Sequence, residues 1–177
     1  MFKHPKVNRR YGVISHYKVC FWVLFVFYKH KKEIIMEFKA YKSLPEAAIE
    51  IREAVFVREQ GFVNEFDEID KISHHLVLFD GEQPVATCRY YWSDSRNSYV
   101  TGRIAVMKNY RGQHIGSLLL KEAERQIQMM RGENICLHAQ VRVKEFYEKL
   151  GYHGEGEESL DEGCPHIWMC KKLETQQ

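Results

Sequence analysis

The most constraining stretch of this sequence is a predicted strand, a glycine-containing turn and a long amphipathic helix in immediate succession. Residues Tyr99 to Met107 form the predicted strand, and residues 114–131 form the predicted helix. In the helix the apolar side chains recur every three or four positions, so they share one face that can pack on a sheet. They are Ile115, Leu119, Ala123, Ile127 and Met130. Gly132 stands where the C-terminal cap of this helix is expected.

The apolar patterns elsewhere predict five more strands and two more helices. The strands span Met36–Lys42, His75–Asp80, Pro84–Trp92, Asn134–Gln140 and His166–Leu173, and the helices span Leu44–Gln60 and Val141–Leu150. Gly81 and Glu82 lie between two of the strands and predict a hairpin. The order of the elements predicts an α+β fold, in which helices pack on one mostly antiparallel sheet.

Charge divides the chain into two parts. Residues 1–35 contain eight lysines and arginines and one glutamate, whereas residues 36–177 contain 18 basic and 23 acidic side chains. The larger part therefore has an excess of negative charge. Binding to a nucleic-acid backbone needs clustered positive charge, so we expect no nucleic-acid partner.

The first 35 residues contain a ten-residue apolar run, Val19–Tyr28, between basic residues. A helix needs about 20 apolar residues to cross a bilayer, and no small-residue cleavage site follows the run. The run can still lie in a membrane interface, although we expect no membrane partner. Because Met36 starts a new strand–turn–helix pattern, we interpret residues 1–35 as a dispensable extension and residues 36–177 as the functional domain of a cytoplasmic protein.

The five cysteines are an odd number and include no pair spaced as Cys-X-X-Cys. They are Cys20, Cys88, Cys136, Cys164 and Cys170. Zinc sites and disulfide frameworks use closer and paired spacings. We therefore expect buried free thiols, a reducing compartment and no metal site.

The turn before the long helix, Arg111–Ser117, is a candidate phosphate site. Such a turn directs several backbone N–H groups to the positive end of a helix, where a pyrophosphate is stabilised. Gly112 and Gly116 would let the backbone approach a ligand closely. The spacing is that of neither a P-loop nor a dinucleotide fingerprint. From this turn alone, a purely structural role is equally consistent.

Two segments carry a family resemblance: one reads RIAV followed by YRGQHIGSLLL, and the other reads AQ followed by FYEKLGY. In this order they resemble the GNAT superfamily of N-acetyltransferases, over the range Met36–Leu173. The acidic run Glu65–Asp70 is similar to that of the small bacterial ElaA- and YjcF-like branch. The resemblance implies a mixed, mostly antiparallel sheet with splayed central strands, flanked by helices. It also implies acetyl transfer from acetyl-CoA to the primary amine of a small molecule or peptide by direct attack.

The resemblance assigns residues to acetyl-CoA as well. The backbone of one strand would pair with the pantetheine arm, and main-chain N–H groups of the turn would hold the pyrophosphate. The strand residues are Ile104, Ala105 and Val106, and the turn residues are Arg111, Gly112, Gln113, His114, Ile115, Gly116 and Ser117. Relatives usually have glycine or alanine where His114 stands. Its side chain must therefore point away from the phosphates or add charge to their site.

Tyr147 is the candidate general acid. Acetyl transfer to an amine expels a thiolate, which a nearby O–H group can protonate. In the GNAT superfamily the tyrosine of an FYEKLG-type helix commonly has this role. Phe146 and Leu150 occupy core positions on the predicted helix, so Tyr147 would lie on the adjoining face. The alternative is a tyrosine that only packs against the helix flank.

His166 is the candidate general base. The attacking amine must be neutral, and an imidazole with a pKa near 6.5 can take its proton. The segment Gly163–Met169 resembles one in glyphosate N-acetyltransferase-type relatives, where the histidine is the base. The alternative for His166 is an ordinary polar residue at the start of an edge strand, and for His138 we expect only a structural role.

The acceptor is not defined by the sequence. The run Glu65–Asp70 can attract a cationic amine, or it can be a solvated loop that caps the first helix. Arg103 can contact an acidic acceptor instead, so the two features point in opposite directions. A non-catalytic CoA- or acyl-CoA-binding module of the same fold is the alternative function, although Tyr147 and His166 favour catalysis. A homodimer is the common default for a soluble oligomer.

Overall fold

The computed structural model describes residues 36–161 and 163–174, which form seven strands and three α-helices. The strands are β1 (Met36–Tyr41), β2 (His74–Asp80), β3 (Gln83–Ser93), β4 (Ser98–Val106), β5 (Asn134–Gln140), β6 (His153–Asp161) and β7 (Cys164–Lys172). The helices are α1 (Glu46–Arg52), α2 (Ile115–Met129) and α3 (Lys144–Glu148), and a π-helical segment, Glu53–Glu59, continues α1. Short 3-10 turns lie at Glu68–Lys71, Asp94–Arg96, Lys108–Tyr110 and Val141–Val143.

The strands form one mixed sheet in the order β1-β2-β3-β4-β5-β7-β6. In the described sheet β4 and β5 are parallel, and every other neighbouring pair is antiparallel. The predicted α+β fold with a mostly antiparallel sheet is therefore confirmed. The hairpin between β2 and β3 is confirmed too, and Gly81 adopts a left-handed φ of 62° at its turn.

Helices cover both faces of the sheet. Alternate residues of a strand point to opposite faces, so Leu78 of β2 packs in the core with α2 whereas Val77 packs with α1. The core under α2 is the larger one, and the predicted apolar stripe of this helix is buried there except for Met130. The sheet is thus the middle layer of three.

The predicted cap of α2 is displaced by one residue. Arg131, with a φ of 63°, is the left-handed residue after the helix. Its N–H donates to Gln128 O at 2.8 Å, and the N–H of Gly132 donates to Ile127 O at 2.9 Å. Gly132 is required for packing instead, because a Cβ there would overlap Ile127 Cγ2 and lie 2.7 Å from Tyr99 Cδ2.

The edge strand β6 is absent from the sequence-based prediction. Its nine residues are all exposed, so they show no alternation of buried apolar and exposed polar side chains. The strand is held by antiparallel pairing with β7, with an irregular stretch between Glu155 and Ser159 in which Gly156 has a φ of 74°. Backbone hydrogen bonds rather than a buried face therefore define it.

Two cysteines are joined by a disulfide, so the prediction of free thiols is wrong for them. Cys136 on β5 and Cys170 on β7 face each other in the antiparallel register, with Cα atoms 4.1 Å apart. They are 34 residues apart in the sequence, and only the strand register brings them together. Cys88 and Cys164 are free, and Cys20 lies outside the described residues.

The interpretation of residues 1–35 as a dispensable extension lies outside the described residues. The same holds for the apolar run Val19–Tyr28. Within the part of the chain that the structure describes, no helix is long and apolar enough to cross a bilayer.

Candidate functional site

The two parallel strands at the centre of the sheet separate along their length. Between β4 and β5, Tyr99 pairs with Ile135 and Val100 pairs with Cys136. Beyond them β4 pairs with β3 and β5 pairs with β7. The backbone groups of residues 101–106 that point toward β5 therefore have no partner strand. We call this space the β4–β5 opening.

The strand predicted to bind pantetheine, Ile104–Val106, follows a β-bulge. The register between β3 and β4 shifts by one residue at this point, and Arg103 adopts a left-handed φ of 52°. Ile104 and Val106 pack against the α2 core, whereas Ala105 is buried under α1. All three contribute backbone to the edge of the β4–β5 opening.

The turn predicted to hold a pyrophosphate connects β4 to α2. No side chain caps α2 at His114, so the backbone N–H groups of the first helical turn are available to a ligand. Gly112 has a φ of 75°, and a Cβ there would meet nothing within 4 Å. Of the turn residues, Arg111, Gly112, Gln113 and His114 are exposed, Gly116 and Ser117 are half-buried and Ile115 is buried.

At two positions of this turn, the backbone conformation or the packing determines which residue type fits best. His114 has a φ of 60°, and a left-handed conformation costs an L-residue about 1–2 kcal/mol, so a glycine would suit the position better. A Cβ on Gly116 would lie 3.3 Å from Phe146 Cζ, so this glycine lets α2 pack closely against α3. Of the two glycines expected to admit a ligand, only Gly112 faces open space.

The end of the π-helical segment contacts both sides of the β4–β5 opening. Arg111, after β4, donates from Nη1 and Nη2 to the carboxylate of Glu59 at 2.6 and 2.8 Å. Gln140, at the end of β5, donates to Gln60 Oε1 at 3.3 Å. The hydrogen bond from Arg111 lowers the pKa of Glu59. The main-chain N–H of Arg111 also donates, to Lys108 O at 3.3 Å, so the contact of Arg111 with a pyrophosphate stays a prediction.

Tyr147 is buried in the α2 core, with 8% of its surface exposed. Its ring lies edge-on to Phe146 and Tyr152, at centroid distances of 5.0 and 6.0 Å. Burial raises the pKa of Tyr147 above the ordinary value of a phenol, so the hydroxyl stays protonated at neutral pH. Among the described residues this hydroxyl has no hydrogen-bond partner, which leaves its proton available.

His166 is buried on β7, on the face opposite to that core. Its Nδ1 lies 2.8 Å from Cys164 O. A carbonyl oxygen can only accept, so Nδ1 must carry the proton and Nε2 presents a lone pair. Its neighbour Ile167 packs in the same core as Tyr147, so the two candidate catalytic residues belong to opposite faces of the sheet.

His138 lies beside His166, with ring centroids 4.9 Å apart. Its Nε2 is 3.1 Å from Ser159 Oγ, and its ring stacks on Trp168 at 4.8 Å. Burial lowers the pKa of His138, and His166 lowers it further whenever its own ring is protonated. Arg96 lies over the Trp168 ring, with Cζ 3.8 Å from its centroid. We call His138, His166, Trp168 and Arg96 the histidine–tryptophan face.

The acidic run forms a network with three arginines, which we call the arginine–carboxylate cluster. Its members are Arg52, Glu65, Asp67, Asp70, Arg89 and Arg103. Arg52 donates to Glu65 Oε1 at 2.6 Å and to Asp70 Oδ1 at 2.7 Å. Arg89 donates to Asp67 at 2.5 Å and to Asp70 at 2.8 Å. Glu65 and Asp70 are buried, so the interpretation of this run as a solvated loop is wrong for them.

The cluster balances its own charges. Burial by itself would raise the pKa of Asp70, but hydrogen bonds from Arg52 and Arg89 hold that pKa well below its usual range. Burial prevails at Glu65 and raises its pKa, although neighbouring arginines oppose the shift. Arg103 contacts Asp67 Oδ2 at 3.2 Å and lies 3.1 Å from both the main-chain oxygen and Oε2 of Glu65. Three cations thus meet three anions, which removes the electrostatic basis for attracting either a cationic or an acidic acceptor here.

Four residues around the opening were missed by sequence reasoning. Glu59 and Gln60 lay at the end of a predicted helix, and Arg96 lay between two predicted strands. Trp168 was part of the segment used to identify His166. The signal for all four is the presence of a large polar or aromatic side chain beside a predicted site element.

Comparison with known proteins agrees with this geometry. A family model described as an acetyltransferase (GNAT) domain matches residues 43–173. The chain belongs to the GNAT family. It is therefore an acyltransferase.

The relatives place it within the ElaA/YjcF-like branch, as predicted. YjcF of Bacillus subtilis, an uncharacterized N-acetyltransferase, is 36% identical over 127 residues, which cover 70% of this chain and 89% of YjcF. The crystal structure of Escherichia coli ElaA superposes with a TM-score of 0.69 at 26% identity, over 77% of this chain and 99% of ElaA. A crystal structure of a Lactobacillus plantarum protein has a TM-score of 0.73 at 29% identity, over 78% of this chain and 98% of its own. The predicted GNAT fold is confirmed by these structures.

Proposed function

We propose that this acyltransferase transfers the acetyl group of acetyl-CoA to the primary amine of a small-molecule acceptor by direct attack. Tyr147 is the general acid and His166 is the general base in this proposal. The observation that carries it is the β4–β5 opening, because the sheet separates there between a buried tyrosine on one face and a histidine with a free lone pair on the other.

The residues around the opening fit acetyl-CoA, which supplies an acetyl group activated as a thioester. Backbone groups of Ile104–Val106 that face the opening can hydrogen-bond to the amides of the pantetheine arm, although Val106 O already accepts from Arg111 Nε at 2.9 Å. The uncapped start of α2 and the open space at Gly112 suit the pyrophosphate. The chemistry of these groups matches a long amide-containing arm that ends in a phosphate.

On the acceptor side, His166 removes a proton from the amine. Its Nδ1 proton is held by Cys164 O, so Nε2 is the atom that accepts the proton. The amine must lose this proton because only its neutral form has a lone pair for attack on the acetyl carbonyl. The hydrogen bond to Cys164 O also orients the ring.

On the cosubstrate side, Tyr147 protonates the sulfur of the departing thiolate. Burial raises the pKa of Tyr147, so the phenol is in the protonated form that this step needs. The edge-on contacts with Phe146 and Tyr152 fix the ring, and the hydroxyl is left without a competing partner among the described residues.

The test measures thiol release from acetyl-CoA by the full chain with a panel of primary amines. We expect amine-dependent release, and Tyr147→Phe should lower kcat by about 100- to 10,000-fold while the affinity for CoA hardly changes. Tyr41→Phe, on β1, is the matched control. Tight binding of CoA without release for any amine would support the non-catalytic binding module instead, and equal affinity for CoA and pantetheine would reject the pyrophosphate site.

A further inference from the structure

Arg96 occupies a fixed position between β3 and β4. It ends the 3-10 turn Asp94–Arg96, and the next residue, Asn97, adopts a left-handed φ of 46° before β4 begins. The guanidinium lies over the ring of Trp168, which in turn stacks on His138. Arg96 therefore belongs to the same group of packed side chains as the proposed base, His166.

The hydrogen-bonding capacity of Arg96 is largely unused. Its Nε is buried and has no hydrogen-bond partner within the described residues. Arg96 forms one long hydrogen bond, 3.4 Å from Nη2 to Glu155 Oε2, and the Glu155 side chain is 57% exposed. Arg89 also has a buried Nε without a partner, but its other nitrogens hold two carboxylates. Arg96 lacks such compensation, so an anion would satisfy donors that otherwise remain unpaired.

A cavity gives a ligand access to this guanidinium. It has a volume of about 680 Å³, which lies in the range of small-molecule sites. Polar groups such as Ser98 and Asn134 line it, together with Lys172 and Glu155. The cavity lies where β4 and β5 begin, beside the β4–β5 opening rather than in it. Arg96 is a lining residue of the cavity and also contacts Trp168, so it connects the two spaces.

The spacing along β7 sets the size of a molecule that could reach both Arg96 and the base. His166 and Trp168 are two residues apart on one face of the strand, which corresponds to about 7 Å. The guanidinium lies over Trp168, so one small molecule can reach both the guanidinium and the His166 ring along this face. An amino acid carries an amine and a carboxylate close together in this way.

We propose that Arg96 binds the carboxylate of the acceptor and that the acceptor is a small amino acid. This inference rests on the proposed function, because it takes the amine to lie at His166. A guanidinium can donate two parallel hydrogen bonds to one carboxylate from Nη1 and Nη2, and Nη1 of Arg96 is not buried as its Nε is. The weak contact with Glu155 would be exchanged for this pair when the acceptor binds.

The test compares amines that differ only in the carboxylate. Phenylalanine is paired with phenethylamine, methionine with 3-(methylthio)propylamine, and β-alanine with ethylamine, and kcat/KM is measured by thiol release with the full chain. We expect the wild type to prefer the amino acid of at least one pair by 10-fold or more. Arg96→Gln should reduce this preference by about 10- to 100-fold, the effect of losing hydrogen bonds to a charged group. Arg96→Lys, which keeps the charge but loses the paired geometry, should retain part of it.

Arg125→Gln is the matched control, since Arg125 is an exposed arginine on α2 that is paired with Glu122. It should keep the full preference. The proposal is overturned if the wild type prefers no amino acid over its amine, or if Arg96→Gln lowers both members of a pair equally.

A calorimetric titration separates this inference from the proposed function. If no amine gives thiol release, the proposed function fails, and binding of N-acetylphenylalanine to the CoA-saturated protein decides the anion site alone. Binding to the wild type that is lost in Arg96→Gln supports the site. Equal binding to both proteins, or binding to neither, overturns it.

Discussion

The arginine–carboxylate cluster and the histidine–tryptophan face are both rich in charged and aromatic groups, but they differ in how these groups are paired. In the cluster, Arg52 and Arg89 hold three carboxylates at 2.5 to 2.8 Å, although Arg89 Nε stays unpaired. On the face, His166 is held at Nδ1, and Arg96 has an unpaired Nε and one long contact with an exposed glutamate. Groups that satisfy one another stabilise the fold, whereas groups left unsatisfied can bind and react.

The largest expected effect is on catalysis. His166→Gln keeps a polar side chain but removes the base, so kcat should fall by about 100- to 10,000-fold and the acidic limb of the pH profile should disappear. The free energy of unfolding should change little. Steady-state thiol release and urea unfolding measure the two quantities, with His74→Gln on β2 as the control. An unchanged acidic limb would show that another group takes the proton.

Unlike His166→Gln, Arg52→Met should mainly lower the free energy of unfolding. It leaves Glu65 and Asp70 buried without their main partner, and removing one side of a buried ion pair costs about 3–5 kcal/mol. Urea unfolding should show this loss, whereas Arg58→Met, at an exposed arginine, should change stability by less than about 0.5 kcal/mol. A loss below 1 kcal/mol for Arg52→Met would mean that the cluster is not a closed structural unit.

The disulfide adds a third and smaller effect, on the strands that carry the histidine–tryptophan face. It closes a loop between residues 34 positions apart, so reduction should lower the free energy of unfolding by about 3–4 kcal/mol. Urea unfolding with and without a dithiol reductant measures the difference. The Cys136→Ser, Cys170→Ser double variant should be insensitive to the reductant; if it responds as the wild type does, the effect belongs to another group.

The smallest effect is the pH dependence of the cluster itself. The pKa of Asp70 is lowered from 3.8, so its contribution to stability is present above that value and is lost as the pH falls below it. The pKa of Glu65 is raised from 4.5, so its contribution has the opposite sign and is lost as the pH rises above that value. Urea unfolding between pH 2 and 7 should show that Asp70→Asn flattens the acidic loss of stability and that Glu65→Gln does not. Parallel curves for Asp70→Asn and the wild type would contradict this assignment.

Local patterns in the sequence predicted the elements that bury a face. The stripe of α2 and the hairpin at Gly81 follow from periodicity and turn chemistry, and both are present. Strand β6 has no buried face and therefore no such pattern. The disulfide depends on which residues of β5 and β7 stand opposite each other, and register between strands far apart in the chain cannot be derived from spacing.

The candidate site divides in a similar way. The turn at Gly112 and the candidates Tyr147 and His166 are part of contiguous motifs, so the sequence indicates them directly. Whether a charged group is paired depends on the three-dimensional arrangement of residues that are far apart in the sequence. The acidic run gave no sign that its carboxylates meet Arg52 and Arg89, and Arg96 gave no sign that it lacks an equivalent partner.

The π-helical segment Glu53–Glu59 has a consequence for how this chain can vary. Its last residue contacts Arg111 on one side of the β4–β5 opening, and the next, Gln60, contacts Gln140 on the other. A π turn holds one residue more than an α turn, so the position of these two residues relative to α1 depends on the extra residue in the segment. Glu59 and Gln60 are adjacent in the chain, so a change that displaces the end of the segment displaces both contacts together. A point substitution at either residue removes only its own contact.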